Sequence, residues 1–217
     1  MSRPIVHQRW LLVATAAVLM AACGPTVPRN TGVYLLLDTS GTYREELRGA
    51  QRLIHYMLSH LGPKDSFAVA RIDTGSFSEK DIVAKATFDD RPSTANLQKR
   101  AFAKRVGNFV DSTERAPYTD ITGGILQAIE FLNEKGTGRK QILIYSDLKE
   151  DLEKGYVRDV PLNLKGFDVV ALNVTKLRSD NKDPREYMDR VDAWKRKIEK
   201  AGGRWKVVND LDRLDGL

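Results

Sequence analysis

Residues 35 to 42 read LLLDTSGT, three leucines followed directly by an aspartate and then by hydroxyl side chains. The run from Val33 to Leu37 is short and continuously apolar, which is typical of a strand that is buried on both faces of a parallel sheet. Asp38 follows where such a strand ends, and the hydroxyl side chains of Ser40 and Thr42 come two and four residues later. The stretch therefore predicts a central strand with polar side chains gathered beyond its carboxyl end.

The rest of the chain alternates strand patterns with amphipathic helix patterns. This alternation predicts an α/β fold of the Rossmann-like kind, with a doubly wound, mostly parallel central sheet of about six strands and helices on both faces. In the second helix, Leu97 and Phe102 are expected to face inward, and Ser93 to cap the first turn. Further strands are predicted at 67–72, 82–88, 141–145, 167–174 and 204–208, and helices at 47–61, 93–110, 122–133 and 183–201.

The first 22 residues have the pattern of an export signal. Arg3 and Arg9 precede an apolar run of 13 residues, Trp10 to Ala22, which is shorter than the roughly 20 residues that a helix needs to span a bilayer. The sequence Met20-Ala21-Ala22-Cys23 resembles the lipobox of bacterial lipoproteins, in which the cysteine is lipidated and becomes the first residue of the mature protein. A retained membrane anchor, or ordinary cleavage that leaves a free thiol, is the alternative.

Cys23 is the only cysteine in the chain. A lone cysteine in an exported protein has no disulfide partner within the chain, and attachment of lipid accounts for it. Gly24 follows the cysteine in place of an aspartate, so the resemblance implies the outer membrane, with the protein facing the periplasm or the cell surface. The predicted organisation is a lipoprotein signal peptide at 1–22, the lipidated cysteine and a tether at 23–31, and one folded domain at 32–217.

The composition argues against two classes of protein. With 41% hydrophobic and 29% charged residues, the chain is unlike an intrinsically disordered protein. Loss of Arg3 and Arg9 with the leader reduces the 35 basic residues to 33, against 29 acidic residues, and so small an excess does not predict nucleic-acid binding. A basic cluster near the C-terminus is interpreted as the solvated face of a helix, with anionic lipid head groups or nucleic acid as the alternative.

Five oxygen-bearing side chains are predicted to gather at one edge of the sheet. Asp38, Ser40 and Thr42 alternate in the turn after the first strand, Asp147 ends a strand expected beside it, and Thr119 lies just ahead of a helix. Ligands of doubly wound sheets bind outside the carboxyl ends of the strands, which is where these residues are expected. Two carboxylates and three hydroxyls make a hard, oxygen-only site of modest charge, which suits Mg²⁺ or Mn²⁺.

The same residues give the chain a resemblance to the von Willebrand factor A domains. That family carries a metal-ion-dependent adhesion site built from D-x-S-x-S, a threonine before a later helix, and an aspartate that ends the fourth strand. Here D-T-S-G-T occupies residues 38–42, Thr119 and Asp147 follow in the family's order, and the resemblance covers roughly residues 31 to 208. Thr42 replaces the usual serine and Leu148 replaces a common glycine. At Leu148 we expect a different loop backbone and an apolar side chain that borders the site.

The resemblance implies a role for each residue of the site. Ser40 and Thr42 would coordinate the ion directly, Thr119 directly or through water, and Asp38 and Asp147 mostly through waters. With the carboxylates in this outer position, the ion can accept an aspartate or glutamate from a partner protein. The sequence thus predicts a non-enzymatic, divalent-cation-dependent protein-binding module that is anchored in the bacterial envelope.

Two other functions stay open at the level of sequence. A domain of this type can bind its partner through a helical or apolar face, with a metal site that plays no part. Alternatively, an apolar strand followed by D-x-S-x-T resembles the first motif of haloacid dehalogenase-type phosphatases, whose first aspartate, here Asp38, attacks phosphorus. In that family a second aspartate serves as acid and base two residues later, and Ser40 at this position has no useful proton affinity near neutral pH. Asp38 as a simple turn residue is the remaining interpretation.

Overall fold

The computed structural model of the chain describes residues 28–40, 46–156 and 158–211. The predicted signal peptide, Cys23 and Thr42 lie outside the described residues. In the described part, no helix is long and apolar enough to cross a membrane. The strands are β1 (Thr31–Asp38), β2 (Ser66–Ile72), β3 (Ile82–Thr87), β4 (Arg139–Tyr145), β5 (Phe167–Leu172) and β6 (Arg204–Val208), and the helices are α1 (Leu47–His60), α2 (Pro92–Ser112), α3 (Ile121–Glu134) and α4 (Pro184–Lys200).

The six strands form one sheet in the order β3-β2-β1-β4-β5-β6. Neighbouring strands are parallel except for β2 and β3, which are antiparallel. The chain builds the sheet outward from β1, first to one side through β2 and β3, and then to the other through β4, β5 and β6. This confirms the predicted doubly wound α/β fold, and it places the point where strand order reverses between β1 and β4.

The apolar run of β1 is fully buried because helices cover both faces of the sheet. Val33, Leu35 and Leu37 pack with residues of α1 and α2 on one face. Tyr34 and Leu36 pack with residues of α3 and α4 on the other face. Successive side chains of a strand point to opposite faces, so a strand between two helical layers requires a continuous apolar run.

Helix α3 lies close against β1 because its first turn contains glycine. A Cβ atom on Gly124 would lie 2.7 Å from Cδ2 of Leu36, closer than a real side chain allows. The small residue therefore lets the start of α3 approach β1 near its carboxyl end. This contact holds the loop that precedes α3 next to Asp38.

The chain enters β1 at the opposite end of the sheet. The backbone N–H groups of Gly138 and Arg139 donate to the carbonyl of Asn30 at 3.0 and 3.2 Å, and the Asn30 side chain donates to the carbonyl of Lys64 at 3.1 Å. Pro28 passes so close that a Cβ atom on Gly138 would clash with its carbonyl oxygen. The residues just before β1 are therefore held at the amino end of the sheet.

Two sequence predictions for α2 are wrong. Leu97 is 60% exposed, and the helix begins with Arg91 at the N-cap and Pro92 in the first turn, so Ser93 does not cap it. The inward face of α2 includes Ala95. A residue two positions later points about 200° away around an α-helix, which places Leu97 on the solvent side.

Candidate functional site

Asp38 closes β1 and is completely buried. Its Oδ1 accepts a hydrogen bond from the Ser40 backbone N–H at 2.8 Å, and its Oδ2 accepts one from the Ser146 hydroxyl at 2.6 Å. Burial raises the pKa of Asp38, the hydrogen bonds from Ser146 and Ser40 oppose the rise, and the nearby Asp147 carboxylate adds to it. Both donors are neutral groups, so the hydrogen bonds hold the carboxylate without cancelling its charge.

Asp147 lies near Asp38 because it follows β4, the strand beside β1. Leu37 pairs with Tyr145 in the parallel register of β1 and β4, so the residues that follow the two strands lie side by side. The Asp147 Oδ1 accepts a hydrogen bond from the Lys149 backbone N–H at 2.8 Å, and the Asp147 carbonyl accepts one from Arg190 Nε at 2.9 Å. The strand that ends near this aspartate therefore lies beside the first, as the sequence predicts.

Leu148 differs from the sequence expectation. Its φ angle is +65°, a left-handed conformation that glycine adopts easily and that costs other residues about 1–2 kcal/mol. The side chain is 1% exposed and belongs to the core cluster beneath α3 and α4. The loop therefore keeps a backbone angle that favours glycine, and the expectation of an apolar side chain bordering the site is wrong because the leucine is packed into the core.

Thr119 and Asp120 lead into α3 from the loop over the end of β1. The Thr119 N–H donates to the Asp151 carbonyl at 2.7 Å, and the Thr119 carbonyl accepts from the Asp151 N–H at 2.9 Å. Asp120 caps the helix, since its Oδ1 accepts a hydrogen bond from the Gly123 N–H at 2.8 Å. Its Oδ2 accepts two hydrogen bonds from the Arg158 guanidinium, at 2.8 and 2.5 Å. Capping α3 is therefore the role of Asp120 and not of the Thr119 side chain.

Ser40, Thr119 and Asp147 line one cleft, which has a volume of about 390 Å³. Asp38 lies beneath it, joined to Ser40 by a hydrogen bond. The structure therefore brings together four of the five residues predicted from the sequence, and the fifth, Thr42, lies outside the described residues. The other charged residues that line the cleft are Arg115, Lys149, Asp151 and Arg178.

The oxygen atoms of the cleft fit a hard divalent cation. Three hydroxyl residues, Ser40, Thr119 and Ser179, and two carboxylates, Asp147 and Asp151, contribute to its lining. Mg²⁺ and Mn²⁺ prefer oxygen ligands. Both oxygens of Asp38 already accept hydrogen bonds from the protein, which suits a carboxylate that orients its surroundings more than one that binds an ion directly. Among residues 28–40, 46–156 and 158–211, no group of three or more His, Cys, Asp or Glu side chains is placed to hold a metal, so a site here depends on the hydroxyls.

Three residues that support the site do not follow from the sequence analysis. Ser146 holds Asp38, and its place between an apolar strand and an aspartate is a usable signal. Arg158 and Arg190 lie 38 and 43 residues from the groups that they bind at the site, and no local pattern marks so distant a partner. Arg190 also pairs with buried Asp180 at 2.8 Å, and its guanidinium lowers the pKa of that carboxyl.

Comparison with known proteins finds likeness in structure and not in sequence. No protein-family model matches the chain, and no curated protein matches it. A von Willebrand factor type A protein from Catenulispora acidiphila matches with a TM-score of 0.52 and 15% identity, over 85% of this chain and 40% of that chain. The pilus adhesin SpaC from Lactobacillus rhamnosus GG, in its open conformation, matches with a TM-score of 0.54 and 13% identity, over 87% of this chain and 29% of that chain. This chain thus spans less than half the length of either, and the likeness is one of fold.

Proposed function

This chain has the fold of the von Willebrand factor A domains, and from that premise we propose that it is a divalent-cation-dependent protein-binding module. Its ligand would be an aspartate or glutamate of a partner protein. The observation that carries the proposal is the single cleft lined by Ser40, Thr119 and Asp147, with Asp38 beneath it. The likeness to a pilus adhesin supports a binding function for this fold.

The proposed site combines hydroxyl ligands with two supporting carboxylates. Ser40, Thr42 and Thr119 would hold a Mg²⁺ or Mn²⁺ ion through their hydroxyl oxygens, and Asp38 and Asp147 would complete its surroundings. Bound there, the ion supplies a Lewis-acidic position for a partner's carboxylate. Asp38 orders the turn after β1 by accepting the Ser40 N–H. The groups stand at the ends of β1 and β4 and ahead of α3, so packed elements of the core set their positions.

We propose no catalytic role for Asp38. The side chain is buried, and its two oxygens accept hydrogen bonds from Ser40 and Ser146, so neither oxygen is presented to a substrate in the cleft. Ser40 also stands where a haloacid dehalogenase-type phosphatase needs a second carboxylate, and general acid–base catalysis contributes about 10²–10⁴-fold in rate. The proposed module is therefore a binding protein and not an enzyme.

The proposal extends to the anchor. Lipid on Cys23 would hold the module in the bacterial envelope, at the outer membrane, facing the periplasm or the cell surface. The lipobox pattern supports this, together with residues 28–30, which join the domain at the end of the sheet opposite the cleft. Each buried CH₂ group of an acyl chain contributes about 0.8 kcal/mol, so two or more chains hold firmly. An anchor at that end leaves the cleft free to meet a protein partner, and nucleic acid is not a proposed ligand.

The direct test is whether Mg²⁺ or Mn²⁺ stabilises the protein through the cleft. We expect the Tm of the purified full chain, in detergent, to rise with either ion and to fall back in EDTA. An ion at 100 times its Kd adds about 2.7 kcal/mol to the free energy of unfolding. Ser40→Ala should abolish most of the shift, whereas Ser93→Ala, which changes an exposed serine of α2, should keep it. Equal shifts in the two variants would contradict the proposal.

Partner capture tests the metal dependence of binding itself. The full chain should retain a protein from bacterial envelope extract in Mg²⁺ and release it in EDTA, and mass spectrometry identifies that protein. Asp38→Ala should capture less of it than the parent does. Capture that survives both EDTA and Asp38→Ala would instead favour a scaffold that binds through another face without a metal.

A further inference from the structure

The cleft carries three cations that the proposed metal site does not use. Arg115, Lys149 and Arg178 all line it, and all three are exposed. They come from three different connections, which precede α3, follow β4 and follow β5. Three separate loops therefore bring positive charge to the same cleft.

These cleft cations differ from neighbouring arginines, because none of them forms an ion pair with a carboxylate among the described residues. Arg158 and Arg190 each bind a buried aspartate. In the part of the chain that the structure describes, no carboxylate forms an ion pair with Arg115, Lys149 or Arg178. The three cleft cations are thus available to bind an external anion.

Once a divalent ion binds, the cleft has a net positive charge despite its carboxylates. Asp147 and Asp151 line the cleft and Asp38 lies beneath it, so three carboxylates balance the three cations. A divalent ion adds two positive charges, and one carboxylate from a partner cancels only one of them. The occupied cleft therefore stays positive toward a ligand that offers a single acidic residue.

We infer that the ligand of this cleft is an acidic segment of a protein, in which the residue that meets the ion is flanked by further aspartates or glutamates. The inference rests on the proposed function and adds to it the chemistry of the partner. Arg115 and Arg178 match carboxylates well because a guanidinium can donate two parallel N–H bonds, and Lys149 adds a point charge. Because the three cations belong to separate loops, they suit several carboxylates of an extended segment better than one compact anion.

Two synthetic peptides of equal length test the inference. One carries a single aspartate among glycines and serines, and the other has the same aspartate with two glutamates on each side. Fluorescence anisotropy measures their binding to the full chain in Mg²⁺ at low and high salt. We expect the parent to bind the glutamate-flanked peptide about tenfold more tightly at low salt, with a smaller preference at high salt because exposed charges are screened.

Two variants with the same net charge separate the cleft from the rest of the surface. The cleft variant changes all three cleft cations to glutamine, and it should lose the preference while still requiring the ion. The control variant removes the same charge from exposed residues outside the cleft, and it should keep the preference. The cleft substitutions are Arg115→Gln, Lys149→Gln and Arg178→Gln, and the control substitutions are Arg100→Gln, Lys104→Gln and Arg196→Gln.

The possible failures are distinguishable. A cleft variant that keeps the full preference would overturn the inference and leave the proposed function standing. If EDTA does not weaken binding of the single-aspartate peptide, metal-dependent binding is refuted. The cleft variant would then still test whether the three cations bind the flanking glutamates.

Inorganic phosphate at concentrations near the Kd of the glutamate-flanked peptide should not displace that peptide. Displacement there would indicate a site for a compact anion and would overturn the acidic segment.

Discussion

Asp38 and Asp120 are both fully buried near the carboxyl ends of the strands, and the fold holds them in different ways. Asp120 caps α3 and forms an ion pair with Arg158. Asp38 accepts hydrogen bonds from a backbone N–H and a hydroxyl, both of which are neutral. Among the described residues, Asp120 thus has its charge balanced by an arginine, and Asp38 has no such counterion.

The difference gives the two carboxylates different tasks. A buried charge costs several kcal/mol in lost hydration unless a counterion or a metal offsets it. Arg158 offsets that cost for Asp120, whose task is to hold the loop in front of α3. At Asp38, the groups among the described residues that offset this cost are neutral hydrogen-bond donors, and a divalent ion in the cleft would reduce it further. Asp120 is therefore expected to matter for folding and Asp38 for binding.

The largest loss of stability is expected when the ion pair between Asp120 and Arg158 is broken. Arg158→Met leaves Asp120 buried without its counterion, so the free energy of unfolding should fall by about 3–5 kcal/mol. Urea denaturation measures the loss. The control is Arg185→Met, because the Arg185–Asp183 pair is exposed and exposed ion pairs contribute little to stability. Similar losses in the two variants would mean that the Asp120 pair is not structural.

Leu148 lies in the loop that also carries Ser146, the hydrogen-bond donor to Asp38. Its substitution tests how much the packing of this loop contributes to stability. Leu148→Ala removes a buried side chain and should cost about 3 kcal/mol. Leu148→Gly removes the same packing but suits the left-handed backbone, so it should be more stable than the alanine variant by about 1 kcal/mol. Thermal unfolding of the two variants side by side gives the order. A glycine variant that is clearly the less stable of the two would show that the backbone angle is not strained.

Asp180 extends the comparison to a third buried aspartate. The Arg190 guanidinium lowers its pKa below the value in the unfolded chain. The ionised form therefore stabilises the fold at neutral pH, and that contribution is lost as the pH falls through the lowered pKa. Asp180→Asn should cost about 2 kcal/mol at neutral pH, and the gap to the parent should close in acid. Urea denaturation across an acid pH series checks this, and a gap that stays constant would rule out the ion pair as its cause.

The smallest effect on stability is expected from Asp38→Asn. The amide keeps the shape of the carboxylate, can accept the Ser40 N–H and can donate to the Ser146 oxygen. In EDTA at neutral pH, we expect the free energy of unfolding to change by no more than about 1 kcal/mol, because a lost hydrogen bond to a charged group is set against a buried charge removed. The stabilisation by Mg²⁺ should disappear. A large loss of stability in EDTA would show that Asp38, like Asp120, is needed for folding. The difference inferred between the two aspartates would then be wrong.

The sequence predicts those parts of the site whose signals are local. The apolar run of β1 and the polar residues at strand ends are recognisable within a few positions, and they suffice to bring Thr119 and Asp147 to one cleft with Ser40. The role of Arg158 is not predicted from the sequence, because its partner Asp120 lies 38 residues away and no sequence pattern links the two. The prediction for Leu148 is wrong because its side chain packs into the core. This packing stabilises a left-handed backbone angle that glycine usually adopts. Leu97 misleads because a single apolar residue on the surface costs little.

Asn30 and Asp38 stand at the two ends of β1, so the tether and the cleft are separated by the length of that strand. Its eight residues span roughly 26 Å at about 3.3 Å per residue. A partner that pulls on the cleft of a tethered chain would load β1 lengthwise. The strand is paired along its length with β2 on one side and β4 on the other, so the hydrogen bonds on both sides would share the force in shear instead of opening one after another. If the chain is anchored and bound as proposed, the strand that presents the cleft would therefore also carry tension between the membrane and the partner.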